Sequence, residues 1–478
     1  MRTTFGCTLL LALFGCATAA EPRGTPEEDT GVVDETPPTT PDAGAPKPPP
    51  RTPDAAPTPE PTPPSPDAAA PTPTPDSGAA PDAGKPADSG PPAALCTSGG
   101  KKLGPPTPAE IKLVDDKLRA MPLVPAGTNK GNNFAYGTAG KGIGDMRSMY
   151  SLTGDLYYLD QAIKFADYFL ATRNNEMTGR VLWTGKREPC WPNNEETAPD
   201  AGVCGAESAQ VAGHLLNTAK IIAGNKAIWD KAVGLGDPNK YGATYIERAR
   251  TYLRESERTM DYFLAHFFDP AKDNFIVTPT DPAYAALGPN YAKAQGRRMA
   301  WNQEDMVADG LALISDVLIL LNEDAARVKS NDALVGKTLD HFIAELKANQ
   351  YMLNGVTVYK WGYNPGDLQH VEDLAHASGD INMLNKGYRR GRYGIARDIL
   401  VPIANTFHEL VAKPDGTYAA HVDGKGSRTT LSNSWTNYEE FRPGIVARLN
   451  PVLTVDDTTP VSTAIGVLGM RKKFCGGQ

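Results

Sequence analysis

Asp167-Tyr168-Phe169-Leu170 and Asp261-Tyr262-Phe263-Leu264 are the two sharpest copies of a pattern that recurs through the chain. Looser copies are Asp340-His341-Phe342-Ile343 and Asn405-Thr406-Phe407-His408. Each copy lies near the end of an amphipathic helical stretch, and a short strand-like run follows it, at residues 180–183, 274–277, 356–359 and 417–420. A helix–turn–helix unit that repeats in this way buries its apolar face against neighbouring units. The irregular spacing favours a closed ring of helices with long loops over a regular solenoid.

Helical periodicity extends over the whole second part of the chain. The predicted helices alternate between amphipathic stretches and stretches that are apolar nearly all round, such as residues 306–321. Two concentric layers of helices explain this alternation, because an outer helix needs one apolar face and an inner helix needs two. The predicted helices cover residues 107–121, 144–152, 156–172, 207–223, 245–268, 306–321, 333–349, 372–384, 395–411, 437–449 and 461–473.

The alternation over residues 107–473 resembles the (α/α) toroids of the six-hairpin glycosidases and polysaccharide lyases, including alginate lyase-like members. The resemblance implies an all-α fold, a toroid or incomplete barrel of about five to six helical hairpins with short β-hairpins in loops. It also implies an extracytoplasmic enzyme that acts on a polysaccharide, with its site where the inner helices begin. We expect one such domain at residues 95–478, since no second low-complexity break follows.

The first residues have the features of an export signal. Arg2 is followed by an apolar stretch at residues 8–14, and Leu13-Phe14-Gly15-Cys16 resembles the lipobox of bacterial lipoproteins. That resemblance implies a signal at residues 1–20, lipidation of Cys16, and a location at the cell envelope, outer membrane or cell surface. Cleavage after Ala17-Thr18-Ala19 without lipidation is the alternative. Residues 21–94 are rich in Pro, Ala, Asp and Thr, which predicts a disordered tether.

Charge and cysteine content narrow the classes of partner and cofactor. The net charge of −8 argues against a nucleic-acid partner. The two resemblances imply instead a polysaccharide or oligosaccharide as partner and, through the lipid only, a membrane. Export makes disulfides plausible. We expect Cys190–Cys204 across a short polar loop and Cys96–Cys475 between the domain ends, although four cysteines allow three pairings. No close Cys-x-x-Cys pair exists, and neither a metal nor a cofactor is expected.

The segment 361–393 contains the densest set of residues that can carry chemistry. The spacing of Glu372, Asp373, His376 and Asp380 predicts a shared helix face on which a carboxylate positions a histidine for proton transfer. Helix capping with a packed histidine is the alternative. The candidate catalytic residues are His376, Glu372, Asp373, Tyr388, Tyr393 and Arg390, and the candidate binding residues of this segment are Tyr363, Arg389 and Arg392.

Three other segments supply candidate substrate-binding residues, for each of which capping, core packing or an ordinary loop is the alternative. They are Trp301, Asn302 and Asp305 at a helix start, Trp435, Asn437 and Tyr438 at another, and Asn133 and Tyr136 in a Gly-rich loop. We expect Trp301, Glu372, His376, Arg390 and Tyr438 to meet in one cleft. His214 on its apolar helix is predicted to be a core histidine.

Three functions fit these residues. The first is a lyase that cleaves a uronic-acid polymer by β-elimination, with His376 or Tyr393 as base, Tyr388 or Tyr393 as acid, and Arg389, Arg390 or Arg392 on the carboxylate. The second is a glycoside hydrolase with a carboxylate pair, Asp305 and Asp373 or Glu372 and Glu439. The third is a surface glycan-binding protein without turnover. The run of Arg and Tyr after His376 favours the lyase.

Overall fold

The structure is a computed structural model that describes residues 97–98, 101–121, 138–174, 177, 179–192, 203–449 and 453–475. All of these residues belong to the compact unit that contains residues 91–478. The predicted signal and tether, Cys96, and the loop residues Asn133 and Tyr136 lie outside the described residues.

The described chain is built from α-helices joined by loops and three short antiparallel hairpins, which confirms the predicted all-α class. The helices are α1 (Pro108–Ala120), α2 (Thr138–Thr153), α3 (Leu156–Thr172), α4 (Glu207–Ala223), α5 (Tyr245–Phe267), α6 (Pro282–Ala285), α7 (Pro289–Lys293), α8 (Trp301–Leu321), α9 (Ala325–Ala348), α10 (Ala377–Arg390), α11 (Arg397–Thr406), α12 (Ile445–Leu449) and α13 (Val461–Cys475). The hairpins pair β1 (Thr97–Ser98) with β2 (Lys101–Lys102), β3 (Phe268–Asp269) with β4 (Asn274–Phe275), and β5 (Gln350–Leu353) with β6 (Val356–Tyr359).

Local sequence signals set the ends of several helices. Thr107 and Glu110 form a capping box at the start of α1, and Thr244 and Glu247 form another at the start of α5. Asn322 ends α8 in the left-handed conformation that a helix C-cap favours. Among the described helices, none is long and apolar enough to cross a membrane.

Two sets of segments alternate along the chain. In the first set, α2 contacts α4, α4 contacts α8, α8 contacts α10, and α10 contacts a 3₁₀ turn at Asn433–Tyr438. The succession returns to its start because α13 contacts α2, while Lys473 of α13 donates a hydrogen bond of 3.3 Å to Asn437 of the 3₁₀ turn. Each segment of the second set packs on one segment of the first set. Helix α3 packs on α2, α5 on α4 and α9 on α8, while α11 packs on α10, α12 on the 3₁₀ turn and α1 on α13.

The four copies of the opening pattern lie in the second set. They occupy the C-terminal parts of α3, α5 and α9 and the junction of α11 with a π-helical segment at Phe407–Val411. The four predicted strand-like runs have different outcomes. Residues 356–359 form β6 as predicted, only Asn274–Phe275 of 274–277 form a strand, and Tyr418 makes isolated bridges. The prediction at residues 180–183 was wrong, because residues 180–182 form no strand and Trp183 begins a turn in which the Gly185 N–H donates to the carbonyl of Leu182.

Helix α10 begins later than predicted. Glu372 and Asp373 precede a turn at residues 374–376, so the predicted shared helix face of Glu372 and His376 is wrong. The reason lies elsewhere in the chain, because Asp373 forms an isolated bridge with His421 that holds this stretch extended. The segments predicted at 395–411 and 437–449 are likewise divided, the first by the π-helical segment and the second between the 3₁₀ turn and α12.

One predicted disulfide is confirmed. Cys190 and Cys204 are bonded, with their Cα atoms 6.2 Å apart, and both residues are fully buried. Cys475 also takes part in a disulfide. Its predicted partner Cys96 is outside the described part of the chain.

Candidate active site

A cavity of about 350 Å³ opens between the N-terminal halves of α4 and α8 and the turn that leads into α10. Side chains at spacings of three and four line it from each helix: Gln210, His214 and Asn217 from α4, Asn302, Asp305 and Asp309 from α8, and Asn382 and Lys386 from α10. Such spacings put residues on one helix face. The remaining polar lining residues are Arg147 of α2, His376, Ser378 and Ser434.

The turn before α10 carries a histidine–aspartate pair. The Asp373 Oδ1 atom accepts hydrogen bonds from the backbone N–H groups of Ala375 and His376, at 2.7 and 3.1 Å. The other oxygen, Oδ2, lies 2.5 Å from His376 Nδ1. With Nδ1 occupied in this way, the Nε2 atom of His376 is the ring nitrogen left for a substrate. The Tyr363 ring packs on this imidazole with centroids 5.1 Å apart.

This pairing shifts the pKa of both partners. The hydrogen bond to Asp373, helped by its charge, raises the pKa of His376 above 6.5 against the opposing effect of burial. Burial alone would raise the pKa of the Asp373 carboxyl, but the hydrogen bond and charge of His376 outweigh it and lower that pKa to about 2. The imidazole is therefore held by a permanent carboxylate, and it titrates above its ordinary range.

Three buried carboxyl groups lie behind and beside the pair. Asp305, Glu372 and Asp380 are each less than one-twentieth exposed, and each has at least one side-chain oxygen without a hydrogen-bond partner. Burial, and then the charge of Asp380, raises the pKa of Asp305 well above 3.8. Burial and neighbouring carboxylates raise the pKa of Glu372, and burial raises that of Asp380 although Trp361 Nε1 donates to it at 2.9 Å. Of the three, only Asp305 belongs to the cavity lining; both of its carboxyl oxygens are buried, and its raised pKa favours the protonated form.

Arg147 brings an unbalanced positive charge to the cavity wall. Its Nη1 atom donates to the backbone carbonyl of His214 at 3.0 Å, and within the described ranges no carboxylate lies at ion-pair distance. Burial lowers the pKa of its guanidinium to about 10, so it remains charged at neutral pH. Lys386, by contrast, is paired with Asp309 at 2.5 Å. An anion entering the cavity therefore meets one cation that the protein has not neutralised.

His214 departs from its predicted role as a core histidine. It lines the cavity, and its Nε2 atom has no hydrogen-bond partner. Burial, with the charges of Arg147 and Lys386, lowers its pKa to about 3, so the ring is neutral near pH 7. A neutral imidazole can donate or accept one hydrogen bond at each nitrogen, which suits contact with sugar hydroxyls.

One group of side chains has a geometry that a metal ion could use. Ligand atoms of Glu372, Asp373 and His376 lie within 4.8 Å of one another. The Nδ1 atom of His376 and Oδ2 of Asp373 are already hydrogen-bonded at 2.5 Å, however, so an ion would have to break this bond to use both atoms. The arrangement fits the histidine–aspartate pair better than a preformed metal site.

The five residues expected in one cleft do not all meet. Only His376 lines the cavity, whereas Trp301, Glu372 and Tyr438 are fully buried around it and Arg390 lies further along α10. The Tyr438 hydroxyl donates to the carbonyl of Ile381 at 2.6 Å, and the Trp301 ring packs on Phe342.

The remaining candidates lie away from this cavity. Trp435 is fully buried, and the Tyr388 ring packs on Phe441. Tyr393 donates to Asp332 at 3.0 Å. The arginines that follow His376 are ion-paired, Arg389 with Glu440, Arg390 with Asp309 and Asp316, and Arg392 with Asp316 and Asp332. These arginines and Asn437 line a second cavity.

Sequence reasoning missed several lining residues, chiefly Arg147, Gln210, Asn217 and Lys386. A signal for three of the lining positions was present: Gln210, His214 and Asn217 form a polar stripe along an otherwise apolar helix. Polar groups on a buried helix need partners or a cavity. No sequence pattern pointed to Arg147, because the residues next to it in the chain do not show where α2 contacts α4.

The chain matches no known family model, and no curated protein sequence is significantly similar to it. Two solved structures are similar to it. One is a polysaccharide lyase, 12% identical, with 77% of this chain and 96% of that chain covered at a TM-score of 0.34. The other is a possible member of the GH105 family from Salmonella enterica serovar Paratyphi A, 14% identical, with 77% and 93% covered at a TM-score of 0.35. Scores of this size do not establish a common fold.

Proposed function

We propose that the chain is an exported carbohydrate-active enzyme, specifically a lyase that cleaves a uronic-acid polymer by β-elimination. In this proposal the two sets of helices form an (α/α) toroid, with the first set inside and the second set outside. The closed succession of contacts from α2 through α13 supports that arrangement. The lipobox-like segment ending at Cys16 supports attachment to the cell envelope through lipid, with residues 21–94 as the tether.

One observation carries the reaction type. The cavity brings together a histidine–aspartate pair, a carboxyl group whose pKa is raised and a cation without an ion-pair partner among the described residues, in His376, Asp305 and Arg147. β-Elimination from a uronate requires a base for the C5 proton, an acid for the leaving oxygen and a positive group on the carboxylate. Each requirement has one residue on the cavity wall.

Binding places the uronate carboxylate on Arg147. A guanidinium donates two parallel hydrogen bonds to a carboxylate, which fixes the sugar and withdraws charge from it. This withdrawal makes the C5–H group more acidic, because the negative charge that develops on proton removal spreads onto the carboxylate.

Proton transfer then breaks the polymer. His376 Nε2 takes the C5 proton, the C5–H electrons form the C4=C5 double bond, and the C4–O4 bond breaks. Asp305 donates its proton to O4, so the products are an unsaturated uronate and a free hydroxyl. The imidazolium next to Asp373 returns its proton to solvent, and Asp305 is reprotonated. Atoms and charges balance without any further reactant.

A glycoside hydrolase is the second candidate, since Asp305 suits the role of general acid. Hydrolysis also requires a free carboxylate as base or nucleophile. Asp309 of the cavity lining is paired with Lys386 and Arg390, and Asp373 is paired with His376. The lyase therefore accounts for more of the cavity.

The test is incubation of the protein with a panel of polyuronates and neutral polysaccharides. The expected result is ultraviolet absorbance from the conjugated C4=C5 product with at least one polyuronate, and none with the variant His376→Ala. New reducing ends without this absorbance would identify a hydrolase instead. Binding without turnover on every polymer would leave the glycan-binding protein as the better description.

A further inference from the structure

A second cavity, of about 520 Å³, lies at the C-terminal ends of the same three helices. Its walls include Lys220 of α4, Asp316 and Leu320 of α8, and Arg389 and Arg390 of α10. It shares Asn217, Asn382 and Lys386 with the candidate active site. The two cavities are therefore adjacent along the helix axes, with His376 at one end and the arginines of α10 at the other.

Cationic side chains outnumber carboxylates on the walls of this second cavity, and each of these cations also has a carboxylate partner. Five cationic side chains line it, and Asp316 is the one carboxylate among its lining residues, all of which the structure describes. The other carboxylates that pair with these cations, Asp309, Asp332 and Glu440, are not part of the lining. The cationic lining residues are Lys220, Lys386, Arg389, Arg390 and Arg392.

Arg390 has hydrogen-bonding capacity that the protein leaves unused. Its side chain is only 7% exposed, and it donates through Nε to Asp316 and through Nη2 to Asp309, both at 3.0 Å. Its Nη1 atom is buried and has no partner among the described residues. A buried charged N–H group without a hydrogen-bond acceptor lowers the stability of the protein, so a water molecule or an acceptor group is expected there.

Two of these five cations are partly exposed, and each is ion-paired, Lys220 with Asp316 and Arg389 with Glu440. Lys220 and Arg389 are about two-fifths exposed. Lys473 approaches from α13, with its Nζ atom 3.3 Å from Asn437, another lining residue. A single anionic group at the opening can therefore contact several cations.

We propose that this second cavity is an anion-binding site, separate from the reacting groups, that takes the carboxylate or sulfate of an acidic saccharide. The saccharide part of the ligand rests on the proposed function, whereas the anion part rests on the cationic lining alone. Because the cavities adjoin, a polymer bound at His376 extends toward the arginines, and its next charged groups are held there.

The site is tested by isothermal titration of the full chain with two probes, sodium sulfate and D-glucuronate. The test variant is Lys220→Ala/Arg389→Ala, and the matched control is Arg250→Ala/Lys337→Ala, whose side chains are half exposed and ion-paired elsewhere. We expect saturable binding to the native protein and the control, and a dissociation constant about tenfold higher or more in the test variant. Circular dichroism checks that each variant is folded.

Two further measurements distinguish binding at this second cavity from an effect of misfolding and from binding at the candidate active site. Binding to the native protein should weaken as sodium chloride is added, because the contacts are charge-assisted. Arg147→Ala should retain one saturable site, since its cation belongs to the first cavity. A lower dissociation constant for either glucuronate or sulfate would support the site and show which anionic group it prefers.

The proposal is overturned if neither probe saturates, if the test variant binds as tightly as the control, or if Arg147→Ala removes all binding. Failure of the proposed function has a different signature. In that case no polymer is cleaved by the native protein, while glucuronate or sulfate still binds in a way that depends on Lys220 and Arg389.

Discussion

Asp167 of α3 and Arg248 of α5 form an ion pair in which the arginine side chain is completely buried. Asp167 is the first residue of one Asp-Tyr-Phe-Leu copy. The first residue of the other copy, Asp261 of α5, pairs with Arg327 of α9 at 2.6 Å. In both copies the aspartate thus joins its helix to the next helix of the second set. The repeated pattern therefore marks an ion pair between neighbouring helices of the second set, as well as the apolar face of each helix.

The two aspartates differ in burial, which allows a matched prediction. Asp167→Ala leaves the buried Arg248 with Asp237 as its remaining carboxylate and with one unmatched buried donor, so we expect a loss of about 1–3 kcal/mol in the free energy of unfolding. Asp261 is more than half exposed, and Asp261→Ala should cost about 0–1 kcal/mol. Urea denaturation of both variants measures the difference. Equal losses would show that the buried pair has no special role.

The sequence predicted the features that depend on local contacts and missed those that depend on contacts between distant segments. The bounds of α3 and α4 were predicted to the residue, because apolar spacing acts within one helix, and in α3 Asp155 also caps the first turn. The start of α10 was missed, because Asp373 pairs with His421 and a turn at residues 374–376 follows it. The arginines after His376 looked free in sequence, yet their partners Asp309, Asp316 and Asp332 lie on other segments. Arg147 was not considered, since only packing brings it to the cavity.

Replacing Arg147 should affect charged substrates alone. In Arg147→Ala, kcat/KM on a polyuronate is expected to fall about a hundredfold or more, because the developing charge loses its electrostatic partner. Arg147→Lys should recover only part of this loss, since an ammonium group cannot make the bidentate contact.

The control substrate is the same polymer after methyl esterification, which removes the carboxylate charge. Native protein and Arg147→Ala should cleave it at similar rates, measured by product absorbance. A full hundredfold difference on the ester would mean that Arg147 acts on something other than the carboxylate.

The histidine–aspartate pair predicts the acidic limb of the pH–rate profile. The reaction needs neutral His376, whose pKa is raised above 6.5 by Asp373, so activity should rise with pH through that raised value. Asp373→Asn removes the charge and the acceptor that favour the imidazolium, so the pKa of His376 falls and the acidic limb moves to lower pH. Initial rates across a pH series measure the shift. An unchanged acidic limb would exclude His376 as the group that titrates.

The Cys190–Cys204 bond should stabilise the region between α3 and α4. It closes a loop with a sequence separation of 14, for which loop-closure entropy predicts about 3 kcal/mol. Cys190→Ala/Cys204→Ala should therefore lower the melting temperature under oxidising conditions. Because Cys475 is also disulfide-bonded, the double variant is more informative than reduction of the native protein. An unchanged melting temperature would show that packing alone orders this loop.

Asp305→Asn separates the role of the acid from that of the base. Asparagine has the size of aspartate but no proton for the leaving O4 oxygen, so cleavage of the polymer should fall about a hundredfold or more. A synthetic uronide with an aryl leaving group needs little protonation, and its elimination by the variant should approach the native rate. Equal impairment on both substrates would remove Asp305 from the role of general acid.

The same variant should change stability in a way that depends on pH. The pKa of Asp305 is raised in the folded protein, so above pH 4 the unfolded chain releases a proton that the folded chain keeps. The cost to stability begins near the unfolded pKa and grows until pH reaches the raised folded value. Asp305→Asn removes this cost, so its melting temperature relative to the native protein should rise between pH 4 and pH 7. A constant difference across that range would mean that Asp305 is ionised in the folded protein and cannot donate a proton to substrate.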